Sequence, residues 1–180
     1  MKTTHSFQTN TIKPTNSNAI NKKILNYISK NNNMTKSTAN QQANKLIFLG
    51  ILLFLLGLIL GLFIPLMTNP RMGLSAHLEG IINGMFLIIL GLIWHKVEVT
   101  EKWLNITFWL SLYGSFSNLL AVTIGAITGA GKMMPLAGGK EGIPLVEVVI
   151  SFLLISLSLA MITVCGIVLK GLYTHLKNAS

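Results

Sequence analysis

The chain has 180 residues, about half of them hydrophobic, with a mean hydropathy of +0.62, a balance that excludes an ordinary water-soluble domain and points to a membrane protein. The net charge of +9 belongs mostly to the first 45 residues, which hold seven lysines and no acid; the remainder carries seven basic and five acidic residues and gives no reason to invoke nucleic acid. The single cysteine, Cys165, excludes an intrachain disulfide and a C-x-x-C redox or zinc site, and the lack of C-x-x-C-H excludes the usual covalent attachment of a c-type haem.

Residues 1–45 are rich in Asn, Ser, Thr and Lys, too polar to bury a core, and read as a disordered basic cytoplasmic tail. They contain neither an apolar signal-peptide core nor the arginines of a transit peptide. Ile20, Ile24 and Ile28 form a short stripe in "KKILNYISK", either a contact with anionic lipid or part of a frayed tail. Met34 offers an alternative start, since "MTKSTANQQANK" already serves as a cytoplasmic leader.

From Leu46 to Met67 no charge interrupts the chain, and about 20 apolar residues suffice for a helix to cross hydrocarbon roughly 30 Å thick. Asn69 followed by Pro70 reads as an N-cap with proline at the first helical position, so a second span runs from Pro70 to about Trp94. After the polar turn "HKVEVTEK", a third span covers about Trp103–Ala130 and a fourth about Pro144–Tyr173, leaving 174–180 as a short tail. The fold class is therefore all-α, a polytopic four-transmembrane-helix bundle. Trp94, Trp103 and Tyr173 stand where interfacial aromatic rings are expected. Four spans bring both termini to one side, which carries eleven Lys and Arg against Arg71, Lys132 and Lys140 on the other, so both ends are expected in the cytoplasm. Gly57/Gly61, Gly80/Gly84 and Gly125/Gly129 are small-residue pairs one turn apart, which predict close helix approach in a bundle or an oligomer.

The second span carries the polar residues that ask for an explanation. A rise of 1.5 Å per residue from Pro70 puts His77 roughly 10 Å and Asn83 roughly 20 Å into the membrane, where polar groups are costly unless paired or functional. At 100° per residue His77 shares a stripe with Gly80, Gly84 and Gly91, a flat slot suited to a porphyrin ligated through imidazole; the other reading is a histidine bonded to a neighbouring helix. Arg71, two turns outward, is either a partner for haem propionates or an ordinary interfacial residue. Ser75, Glu79 and Asn83 make a separate polar stripe, with Asn83 about 120° from His77, so a site using both His77 and Asn83 is expected between subunits. Glu79 either orients a ligand or forms a subunit contact. On the third span Ser111, Ser115 and Asn118 share one face, with Tyr113 and Ser117 on another, and either row serves a substrate or a neighbouring helix. "GAGKMMPLAGGKEG" lacks the spacing and the Ser or Thr of a phosphate loop and reads as a flexible outer lid, with Glu147 placed to complement the dipole of the last helix. A drug exporter of four helices would want an acid in the first span, and Leu46–Met67 has none.

"LLFLLGLILGLFIP", "NPRMGLSAHLEGIINGMF", "LSLYGSFSNLLAV" and "TGAGKMMPLAGG" resemble bacterial hydroxylaminobenzene mutases, and His77 with Asn83 six residues on is similar, more distantly, to the styrene oxide isomerases. The resemblance covers about Leu46 to Tyr173. It implies an enzyme of the bacterial inner membrane, in nitroaromatic degradation, that rearranges aryl hydroxylamines to 2-aminophenols without net redox change. It also implies haem b held through His77 between subunits of a homo-oligomer, a trimer in the isomerases, with Asn83 binding a small aromatic substrate. In the isomerases an acid precedes a glycine on the third helix and a tyrosine follows; "LYG" puts Tyr113 at the acid position, and no aligned tyrosine follows. This departure speaks against epoxide opening and for the mutase. Asn83 is then expected to orient the substrate, with Tyr113 or Asn118 relaying a proton and Arg71 beside the haem. The alternative is a non-catalytic haem-binding or small-molecule-binding membrane subunit.

Overall fold

The computed structural model describes residues 17–179, with side chains described for 21–26 and 37–179. The chain divides into two units, one up to Ser37 and one from Thr38 onward, and the described residues of the first form the leading part of the first helix. The fold is all-α: α1 Ser17–Phe63, α2 Pro70–Ile93, α3 Glu101–Thr128 and α4 Pro144–Ala179, joined through short 3₁₀ turns. Each helix contains a stretch long and apolar enough to cross a membrane: Ser37–Leu66, Pro70–Lys96, Glu101–Thr128 and Pro144–Ala179.

The tail differs from expectation. Residues 38–45, read as disordered, lie in α1, with Ala43 buried and the Gln42 side-chain amide donating to Asn105 Oδ1 at 3.1 Å. Composition underrates this stretch because Ala39 and Ala43 pack inward and Gln42, buried beside them, finds a polar partner in Asn105. The first 16 residues of the expected tail, and the side chains of Ile20 and Ile28 in the proposed stripe, lie outside the described residues.

The start of α2 is as expected. Asn69 is extended (φ −123°, ψ 93°) and its side-chain oxygen accepts from the Met72 amide, the capping geometry that a proline at the next position favours. Its Nδ2 also donates to the Gly138 carbonyl at 2.9 Å, tying the head of α2 to the loop between α3 and α4. That loop starts where α3 stops at Gly129, whose positive φ of 76° a glycine adopts without a side-chain penalty.

Packing of α1 on α2 explains the glycine pairs. A Cβ on Gly80 would lie 2.5 Å from Gly57 Cα, and one on Gly84 2.7 Å from Phe54 N, so backbone meets backbone along this seam. The slot beside His77 is thus filled by α1, which corrects the expectation of an open cleft for a porphyrin on the Gly80/Gly84 face. A single helix's periodicity locates its small-residue face and leaves unstated which neighbour covers it. The pair on α3 also departs from expectation: Gly125 packs against Met72 and the Ala130 carbonyl, and Gly129 ends the helix.

The core joins Leu46 and Leu53 of α1, Leu87 and Leu90 of α2, Phe108 and Leu119 of α3, and Val164 of α4. Trp94 belongs to it as well, 1% exposed and edge-on to Phe108 at a centroid distance of 6.5 Å, so it is a core ring where an interfacial one was expected. Trp103 and Tyr173 are exposed as that role requires.

Candidate active site

The two polar stripes of α2 face different neighbours. His77, half-buried, turns to α1, where its Nδ1 lies 2.8 Å from the Gly57 carbonyl oxygen. A carbonyl only accepts, so Nδ1 carries the proton and donates it. In the neutral ring Nε2 then keeps its lone pair, and no described residue bonds to it. A backbone carbonyl on the far nitrogen is the usual support for a metal-ligating imidazole. Gly61 makes room for the ring, since a Cβ there would meet Nδ1 at 2.6 Å.

The other stripe faces α3. Asn83, 7% exposed, donates through Nδ2 to the Glu79 backbone carbonyl at 2.9 Å and to Glu79 Oε2 at 3.0 Å. Asn118 of α3 donates through Nδ2 to the same Oε2. Two amides thus converge on one carboxylate oxygen, while Oε1 of Glu79 and the side-chain oxygens of both asparagines receive no hydrogen bond among the described residues. Glu79 and Ser75 line an open cavity of about 500 Å³ whose other walls are Val122 and the loop residues 133–137. The Ser75 hydroxyl is turned back to the Arg71 carbonyl.

The 3₁₀ turn Pro135–Ala137 roofs this cavity within a loop that is firmly tied down. Glu147 Oε1 accepts from the amides of Gly131 (2.9 Å) and Gly142 (3.0 Å), and its Oε2 from Lys132 N (3.1 Å). Glu147 therefore holds the lid as well as standing in the first turn of α4, a role its position next to the helix start did not announce. Ala130 and Lys140 form a β-bridge across the base of the loop, and Lys132 pairs with Glu141 on its outer side.

The structure brings together Asn83 and Asn118, with Glu79 between them. It does not bring them to His77 of the same chain, as the helical wheel required. Arg71 is exposed, its aliphatic stem beside Gly138 of the lid. Tyr113 turns to α4, where its hydroxyl lies 2.6 Å from Ser156 Oγ. Ser111 donates to the Phe108 carbonyl of its own helix, and Ser115 Oγ is buried without a partner. The sequence marked Glu79 as a member of the polar stripe; its pairing with Asn118 depends on how α2 and α3 are rotated against each other, which no single-helix periodicity records.

Among the described residues no three His, Cys, Asp or Glu side chains cluster to hold a metal ion. A lone imidazole with Nδ1 bonded to Gly57 and Nε2 free has the donor chemistry that would hold a haem iron. The residues present fit that group in donor chemistry, although the Gly80/Gly84 face beside the ring is taken by α1.

Comparison with known proteins agrees with this architecture. Residues 42–173 match the family model described as styrene oxide isomerase. Among curated proteins, hydroxylaminobenzene mutase HabB of Ectopseudomonas oleovorans is 48% identical over 140 residues, covering 77% of this chain and 85% of the relative. Hydroxylaminobenzene mutase HabA of the same organism is 47% identical over 125 residues, covering 68% of this chain and 93% of the relative. No solved structure gives a significant match. With the match running through all four helices and the relatives covered almost end to end, the chain belongs to the styrene oxide isomerase family and is an isomerase of the mutase kind.

Proposed function

We propose that this protein rearranges aryl hydroxylamines such as hydroxylaminobenzene to 2-aminophenols inside the bacterial inner membrane, with both termini in the cytoplasm. The observation that carries the reading is the near-half identity to two relatives, both named hydroxylaminobenzene mutase. The reaction moves a hydroxyl from nitrogen to the ortho carbon and consumes no reductant.

His77 would hold haem b through Nε2, with Arg71 toward the propionates. When bound, the haem would supply Lewis-acid chemistry at the substrate oxygen. The protein's own part is orientation and dryness. The free side-chain oxygen of Asn83 accepts from the N–H or O–H of the substrate, and Glu79 fixes that amide by accepting from its Nδ2 through both the backbone carbonyl and Oε2. Asn118 is fixed in the same way and stands closer to this chemistry than Tyr113, which is engaged with Ser156. Val122, Met133, Met134 and Leu136 offer an apolar wall to the aromatic ring and keep water from it.

Because His77 faces α1 and Asn83 faces α3, one reaction centre uses both only when two copies of the chain contribute, which supports a homo-oligomer such as a trimer. The test is direct. Detergent-purified protein is expected to show a Soret band and to form 2-aminophenol from hydroxylaminobenzene without added reductant, and His77→Ala to lose both. Iron-free, colourless wild-type protein, or undiminished turnover by His77→Ala, would overturn the proposal.

A further inference from the structure

We infer that Glu79 is the proton carrier of the rearrangement, taking the proton from the ortho carbon and handing it to nitrogen. The inference rests on the proposed aryl hydroxylamine chemistry and adds the residue that completes it.

Moving the hydroxyl is only half of the isomerisation. Once the N–O bond has broken and the C–O bond has formed, the ortho carbon bears both hydrogen and hydroxyl, and nitrogen is doubly bonded to the ring. Aromaticity returns when a base takes the ring proton. The C–H electron pair then re-forms the ring double bond, the C=N pair moves onto nitrogen, and nitrogen takes up the proton. No atom is gained or lost and no electron donor is needed, but one group must accept a proton and give it back within a few ångströms. Carboxylates serve such transfers well when they are positioned against the substrate and shielded from water.

Glu79 meets that description on three independent observations. Among the described residues it is the only titratable side chain lining the cavity under the lid; the other lining residues are apolar or, at Ser75, committed to a backbone carbonyl. Its Oε2 is saturated by the amides of Asn83 and Asn118, which fixes the plane and position of the carboxyl group from two different helices. Its Oε1 has no partner among the described residues, leaving one basic oxygen for a bound molecule. A carboxyl group whose only task was to join α2 to α3 would gain from bonding through both oxygens, and this one does not. In this scheme Asn118 is a positioning residue, Asn83 both binds substrate and helps to position the carboxyl group, and Glu79 carries the proton.

The experiment uses full-length protein and hydroxylaminobenzene deuterated at both ortho positions. Glu79→Gln keeps the shape and an acceptor oxygen for the asparagine amides but cannot carry the proton. It is expected to assemble normally, to lose about 10²–10⁴-fold in kcat, the usual worth of a general base, and to show an ortho-deuterium isotope effect on kcat larger than wild type because ring deprotonation becomes rate-limiting. Glu79→Asp retracts the carboxyl by one methylene and is expected to fall between the two in rate, again with a raised isotope effect; it decides the matter if the glutamine variant fails to assemble. Turnover by Glu79→Gln within a few-fold of wild type, or a loss of rate in either variant with an isotope effect no larger than wild type, would overturn the assignment while leaving the mutase reading intact. Wild-type protein that forms no 2-aminophenol would bring down the functional reading and this inference with it.

Discussion

The α1–α2 seam can be tested with two glycine-to-alanine changes that share every effect but one. A Cβ on Gly80 would lie 2.5 Å from Gly57 Cα and 2.9 Å from Gly57 N, whereas a Cβ on Gly166 meets nothing within 4 Å. Both positions are helical, so alanine brings each the same propensity gain, about 1 kcal/mol. Carbon atoms rest about 3.5–4.0 Å apart, so Gly80→Ala must push two backbones apart by about 1 Å. Forcing a methyl into a packed seam costs about 1–3 kcal/mol. Gly166→Ala is therefore expected to be stabilised by up to about 1 kcal/mol, and Gly80→Ala to fall below it by about 1–3 kcal/mol. The assay is unfolding in a fixed detergent followed by far-ultraviolet circular dichroism, with the two variants and wild type compared in one series. Gly80→Ala as stable as Gly166→Ala would refute the claim that α1 closes directly on this face.

Other measurements bear on the site and its supports. Co-expression of His77→Ala with Asn83→Ala chains is expected to recover part of the activity that each variant lacks alone, since mixed oligomers rebuild some sites with an intact residue from each copy; recovery no greater than background would place both residues in one chain's site. Glu147→Ala removes the acceptor for three lid amides and is expected to destabilise the protein by about 1–3 kcal/mol and to raise KM more than it lowers kcat, which steady-state kinetics and thermal unfolding together would check. At the other end of the bundle, hydrogen bonds from His175 and then Asn178 hold the Glu98 carboxyl below its ordinary value of 4.5. A depressed carboxylate stabilises the fold fully above its unfolded value and loses that contribution as pH falls through its folded one. The melting-temperature gap between wild type and Glu98→Gln is thus expected to hold at neutral pH and to shrink below about pH 4.5; a gap that widens on acidification would contradict the link.

Much of the fold could be read in advance because its causes are local. Asn69-Pro70 starts a helix wherever it is followed by helix formers, and runs of about 20 apolar residues set the spans. The wheel on α2 correctly separated His77 from Asn83 and grouped Asn83 with Glu79, since both statements depend only on 3.6 residues per turn. What escaped depends on neighbours. That α1 fills the glycine face beside His77, that Trp94 turns inward onto Phe108, and that Asn118 meets Glu79 follow from how helices are rotated against each other. Glu147 was placed at its helix terminus but not at the loop it holds, because that contact joins residues 16 apart through backbone amides that carry no sequence signature.

That one carboxylate also couples two pieces of the chain that would otherwise open separately. The amides of Gly131, Lys132 and Gly142 are all held by one carboxylate that the first turn of α4 carries, so fraying either the loop or the helix start strands the other's polar groups. Amide hydrogens on both sides of residue 142 should exchange with solvent deuterium at one common rate, as a cooperative unit, and not in a gradient running outward from the tip.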